Sequence, residues 1–204
     1  VPDGLEPVTA GSALAEHIAA LRLVDNHVHG FWLSAGDRRR FENGLNEANT
    51  DPLADFDSGF DTQLGFAVRA HCAPLLGLPG HVDPQRYWER RSGVSEPDLA
   101  RVFLPAAGVS DWLVDTGLPG DIAGLAEMAE ASGGRAHEIV RLEQVAEQAA
   151  AAPGDYADAF RAILHERART AVGTKSVLAY RGGFDGDLSE PSAAAVADAA
   201  ARWR

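Results

Sequence analysis

The sequence predicts an α/β fold: the first half, about four βα units, of a TIM (β/α)8 barrel, with a long insertion after the first strand. Three observations carry that expectation. Four short apolar runs each end in a polar residue and alternate with stretches of helical periodicity, the pattern of parallel βα units. The segment between the first two runs, residues 31–107, is far longer than an ordinary loop. A complete barrel takes eight units and typically ~250 residues, whereas this chain has 204.

The elements follow in order. A first helix is expected over residues 10–21, where Leu14, Ile18 and Leu21 recur at helical intervals and Thr9 or Ser12 can cap. Leu23-Val24-Asp25-Asn26-His27-Val28-His29-Gly30 then reads as a strand, apolar at its start and polar at its end. The insertion is rich in Gly, Asp and Pro, yet it carries Phe31, Trp32, Phe41, Phe56, Phe60 and Phe66. It is therefore expected to be ordered, and long segments of this kind often cap active sites. Ser95-Glu96-Pro97-Asp98 opens a helix that Gly108 stops. Strands are expected over residues 111–117, 138–143 and 174–181, with helices over 121–132, 144–150 and 155–170. A last helix, introduced by Ser189-Glu190-Pro191, runs to Arg204. The whole chain, 1–204, is expected to be one partial domain whose C-terminal half-barrel is absent.

Composition excludes several classes. Hydrophobic residues at 46% and charged residues at 24% fit a folded soluble domain, not a disordered one. Asp and Glu number 30 against 18 Lys and Arg, a net charge of -12. A nucleic-acid binder needs a basic face, so that partner is not expected. No apolar run reaches the ~20 residues of a membrane span, and the N-terminus lacks the basic and apolar regions of a signal peptide. Cys72 is the single cysteine, which precludes an intrachain disulfide and suits a reducing, cytoplasmic setting.

The strongest chemical signal is His27-x-His29 at the end of the first strand. Residues two apart on a strand share a face, roughly 6–7 Å apart along the chain. Two neutral imidazoles in that relation can ligate one divalent metal. The plain alternative is two incidental strand histidines. His71 beside Cys72 has no partner cluster, and His17, His81, His137 and His165 are expected to be surface or packing residues in helices or loops.

LVDNHVHG, an early strand closing in HxH, resembles the amidohydrolase superfamily, specifically its amidohydrolase-2 branch. DWLVDTG, HEIVRLE and VGTKSVLAYRGG are similar to strands two, three and four of that barrel, so the resemblance covers most of the chain outside the insertion. It implies a distorted TIM barrel with one or two divalent ions, zinc above all, at its C-terminal mouth. It also implies metal-activated water attacking an amide, ester or related bond of a small-molecule substrate. Some members decarboxylate or isomerise instead.

The resemblance implies further roles. Lys175, in Gly173-Thr174-Lys175, is similar to the lysine that binuclear members carbamylate to bridge two metals; packing or a salt bridge is the alternative. Arg181, expected at the mouth from its strand-end position, could hold a substrate carboxylate bidentately, an ion pair within the rim being the alternative. Asp25 could orient a ligand imidazole from behind, and Asp115 and Glu143 are expected to form ion pairs at the rim. The family's remaining histidines and its acid/base aspartate come from later strands, so no catalytic base is assigned within this chain. The expected activity is that of a metal-dependent hydrolase seen as an N-terminal fragment, inactive alone. The rival is a non-catalytic half-barrel that assembles with another chain. Either way the isolated chain should homo-oligomerise or require its missing C-terminal half.

Overall fold

The computed structural model describes residues 11–46 and 51–203. Four strands, β1 (Leu23–Val28), β2 (Val109–Asp115), β3 (Arg135–Arg141) and β4 (Gly173–Lys175), pair in parallel in the order β1-β2-β3-β4. Each strand lies beside its neighbour in sequence, and the sheet is a curled half-barrel.

Strand alternation gives this sheet two different faces. Trp112 and Val114 of β2 are buried on the helical side, in a cluster with Val28, Leu104, Met128 and Ala136. Asp111 and Asp115 point the other way, and so do their ion-pair partners Arg135, His137, Arg141 and Lys175. Barrel interiors are usually filled by branched aliphatic side chains. Here the concave face is charged, with one knot around Asp111 at the start of β2 and another around Asp115 at its end.

The segment between β1 and β2 is helical and has a core of its own. It comprises α2 (Arg38–Gly44), α3 (Gln63–Ala67), a π-helical turn over Val68–Cys72, α4 (Ala73–Leu75), α5 (Pro84–Ser92) and α6 (Glu96–Ala106). Asp37, Thr62, Asp83 and Ser95 cap α2, α3, α5 and α6 by accepting backbone N–H groups of the first turn. Phe60, Ala73, Leu76, Val82, Tyr87 and Leu99 are buried together. Burying a large apolar side chain is worth about 1.5–3 kcal/mol, which orders a stretch otherwise rich in Gly, Asp and Pro. Leu104 of α6 reaches the sheet's cluster, so this helix ties the insertion to the half-barrel.

The remaining elements depart from the sequence expectation at their ends. α1 (Ala13–Ala19) is capped by Ser12; Thr9 lies outside the described residues. α7 (Leu125–Ser132) begins four residues after the expected Asp121. The chain over Phe31–Leu33 takes that segment into an antiparallel bridge, Trp32 to Ile122, with the Ala123 N–H donating to the Phe31 carbonyl. β3 starts three residues earlier than expected because Gly133, at φ 66°, closes α7 in the left-handed region and returns the chain to the sheet at once. Glu143 therefore falls in the first turn of α8 (Leu142–Ala151), followed by α9 (Tyr156–Ala168).

β4 ends at Lys175 instead of running to Arg181. Glu143 accepts the Ser176 hydroxyl (2.5 Å) and the Val177 N–H (3.0 Å), drawing the chain out of the ladder. Ser176 Oγ then accepts the Leu178 N–H and starts a single turn, α10 (Leu178–Arg181). The last helix, α11 (Ala193–Trp203), is opened by Ser192, whose hydroxyl accepts the Ala195 N–H.

Apolar side chains stay exposed at both open sides of the sheet: Leu14, Ile18 and Val24 near β1, and Val172, Phe184 and Leu188 beyond β4. Among the described residues, no helix is long and apolar enough to cross a membrane.

Candidate functional site

β1 brings His27 and His29 to the C-terminal edge of the concave face. Their ring centroids lie 4.8 Å apart and the planes cross at 86°. The Asp25 carboxylate accepts the backbone N–H of His27 (3.0 Å), where the pairing of β1 with β2 becomes irregular. Asp25 thus braces the main chain under the pair. Gly30 follows at φ 94°, and a Cβ there would stand 2.3 Å from the Ala123 carbonyl oxygen. Only glycine lets the chain turn so close to the loop after β2.

Both histidines line a cavity of about 550 Å³. Phe31, Trp32, Leu118 and Ile122 supply apolar wall, and Arg91 and Glu96 enter from the insertion. Arg91 forms a bidentate pair with Glu96 (2.8 and 2.7 Å), and its guanidinium lies 4.5 Å from the Phe41 ring centre. The segment between β1 and β2 therefore contributes a buried charged pair to the cavity that the histidines line.

Behind His29 lies Asp115, 1% exposed at the end of β2. Its carboxylate accepts from Arg141 (Nη2, 2.6 Å), Lys175 (Nζ, 3.1 Å) and the Gly117 N–H (2.9 Å). His29 Nδ1 stands 3.6 Å from the same carboxylate and 3.4 Å from the Asp115 carbonyl oxygen. Burial pushes the Asp115 pKa up, but the Arg141 hydrogen bonds, the Gly117 N–H and Lys175 outweigh it and hold it at about 2.

Glu143 lies on the same rim. Its Oε1 takes Ser176 and Val177, while Oε2 is buried with no hydrogen-bond partner. Burial raises its pKa, and the Ser176 and backbone hydrogen bonds more than reverse this, lowering it below the usual carboxylate value.

The expected residues are thus only partly brought together. His27 and His29 are side by side, and Lys175, at the end of its shortened strand, joins them through Asp115. Arg181 ends a helical turn, exposed, and is not at a strand end. His137, expected in a helix or loop, lies on β3 and pairs with Asp111 (2.9 Å). His71 and Cys72 lie in the π-helical turn, and burial raises the Cys72 thiol pKa. Arg91 and Glu96 escaped sequence reasoning, because Glu96 reads as part of a helix start and Arg91 falls in a part of the insertion to which no element was assigned.

No protein-family model matches the sequence, and no curated protein does either. The fold is similar to the crystal structure of a protein of Lactobacillus casei ATCC 334 assigned as a metal-dependent hydrolase, with a TM-score of 0.62 and 22% identity. The likeness covers 93% of this chain and 50% of that one. The chain therefore spans half the length of that structure and shares its fold over that half.

The donor set can be tested against a metal directly. Among the described residues, no three His, Cys, Asp or Glu side chains converge as a ligand group. Two adjacent imidazoles are nonetheless a donor pair that divalent ions accept. The two histidines would be a partial ligand set, with further ligands required.

Proposed function

We propose that the chain is the N-terminal half-barrel of a metal-dependent hydrolase of the amidohydrolase type, with His27 and His29 holding a divalent ion, zinc above all. The observation that carries this reading is the pairing of the two imidazoles at a strand's C-terminal end, where (β/α)8 enzymes keep their active sites, opening into a cavity of about 550 Å³. The described role of the Lactobacillus casei protein agrees with it.

When bound, such an ion supplies Lewis acidity, acidifying water and polarising a carbonyl. The chain's own residues do the rest. His27 on β1 and His29 just beyond its end present imidazole nitrogen donors from one stretch of chain. Phe31, Trp32, Leu118 and Ile122 supply an apolar wall to receive the apolar part of a substrate. Arg91 and Glu96 form a closed bidentate pair in the cavity wall and carry no net charge to a substrate, so the substrate class is no finer than a small amide or ester. Lys175 in this reading pairs with the buried Asp115 carboxylate at 3.1 Å, where a carbamate would set a second negative charge.

The proton-transferring group and remaining ligands belong to a second half-barrel that closes against β1 and β4, covering the exposed Val24 and Val172. The rival reading, a non-catalytic assembly module, uses the same open edges but needs no metal. Isothermal titration with zinc separates the two. The wild type is expected to bind weakly, and a His27→Ala/His29→Ala variant not at all; equal affinity in both would refute the metal assignment.

A further inference from the structure

We infer that Asp115 holds His29 as its Nδ1–H tautomer, leaving the Nε2 lone pair as the ring's ligand atom and making Asp115 a positioning residue of the site. The argument rests on what faces Nδ1. The Asp115 carbonyl oxygen stands at 3.4 Å and the Asp115 carboxylate oxygen Oδ2 at 3.6 Å. Neither has a hydrogen to give. The carbonyl cannot donate, and the carboxylate is engaged by two cations, Arg141 at 2.6 Å and Lys175 at 3.1 Å.

A nitrogen facing two such acceptors keeps its proton, because a lone pair there would confront two oxygens with nothing between them. A neutral imidazole carries one proton, so Nε2 is left bare. Both separations are long for hydrogen bonds, and they act as a directional field more than as tight contacts. The His27 ring lies 4.8 Å away and crosses the His29 plane at 86°. Arg141 and Lys175 never touch the His29 ring in this scheme; they act by fixing Asp115, which 1% exposure and the Gly117 N–H already hold in place.

The tautomer stands independently of any metal, whereas Nε2 as a ligand atom rests on the metal reading above. Long-range 1H–15N correlation spectra of the 204-residue chain, labelled at histidine and recorded at about pH 8, above the usual histidine pKa, test both. His29 is assigned by the signals lost in His29→Asn. The expected pattern has a protonated Nδ1 and a bare Nε2; an Nε2–H ring or an even mixture would overturn the inference. Added zinc should then shift Nε2 and leave Nδ1–H in place, while zinc on Nδ1 would overturn it. No response at either nitrogen would sink the metal reading but leave the wild-type tautomer as support for Asp115. In Asp115→Asn, with its fold checked by circular dichroism, zinc affinity should fall about 10-fold or more, and wild-type affinity would remove the positioning role.

Discussion

Replacing Asp115 by Asn tests how the charged concave face is held. The substitution keeps size and shape but removes the negative charge that Arg141 and Lys175 share. Their side chains are only 16% and 20% exposed, so the two cations are left close together with little water to screen them. Breaking a buried ion pair by removing one partner costs about 3–5 kcal/mol. For a chain of this size each kcal/mol lowers Tm by about 2–4 °C, giving a fall of roughly 10 °C. Urea denaturation followed by circular dichroism reads this directly. Adding Lys175→Met removes one stranded cation and should restore at least ~1 kcal/mol, the coupling expected between contacting residues.

The same carboxylate gives the prediction a pH arm. Its folded-state pKa of about 2 lies below the ordinary 3.8. A depressed carboxylate stabilises the fold fully above the unfolded value and loses that contribution as pH falls through the folded one. The window therefore runs from about pH 4 down to about pH 2, and the contribution is about 2 kcal/mol. Glu143 is shifted in the same direction, so the measurement is the difference between wild type and Asp115→Asn across the window. An Asp115→Asn chain within ~1 kcal/mol of wild type at pH 7, with an unchanged acid limb, would refute the knot as a structural anchor.

Gly30→Ala is expected to destabilise by at least ~2 kcal/mol, since φ 94° and the 2.3 Å approach to the Ala123 carbonyl both oppose a Cβ; a wild-type thermal melt would contradict this. Glu96→Gln leaves the Arg91 guanidinium without its counter-charge and should cost about 3 kcal/mol, while Arg91→Met/Glu96→Leu should come close to wild type. Equal losses in the two variants would mean that packing, not charge, sets the cost. Light scattering should show the 204-residue chain self-associating, because unpaired parallel edges and exposed Leu14, Ile18, Val24 and Phe184 invite pairing. A clean monomer with a sharp melt would mean that these residues close a domain by themselves.

The sequence was most legible where one local rule decided the outcome. The HxH strand, the capping motif at Ser95 and the βα alternation each depend on a few neighbouring residues, and the structure shows all three. Misplacement came where a distant partner decided. Val177, Leu178 and Tyr180 read as strand, but Glu143 on another element takes the Ser176 hydroxyl and the Val177 N–H, and a turn results. Arg181 moved from the expected mouth with it. Likewise Asp121 is a good cap by type, yet the Trp32–Ile122 bridge holds that stretch extended.

The charged character of the concave face was harder still to read, because each of its residues has an innocuous local role. Asp115 reads as a strand terminus, Arg141 as one residue of an alternating strand, and Lys175 as half of a short motif. Only the parallel register, which sets Arg141 against Lys175 and Asp115 one step away beside Ile139, makes them a single group. That register also explains why the group lies under the histidines. β1 pairs with β2 so that Val28 meets Val114, and His29 then follows over Asp115. A one-residue slip of either pairing would turn these side chains to the helical face, where Trp112 and Val114 now pack. The aliphatic burial that fixes the register on one side of the sheet therefore also aligns the candidate site on the other.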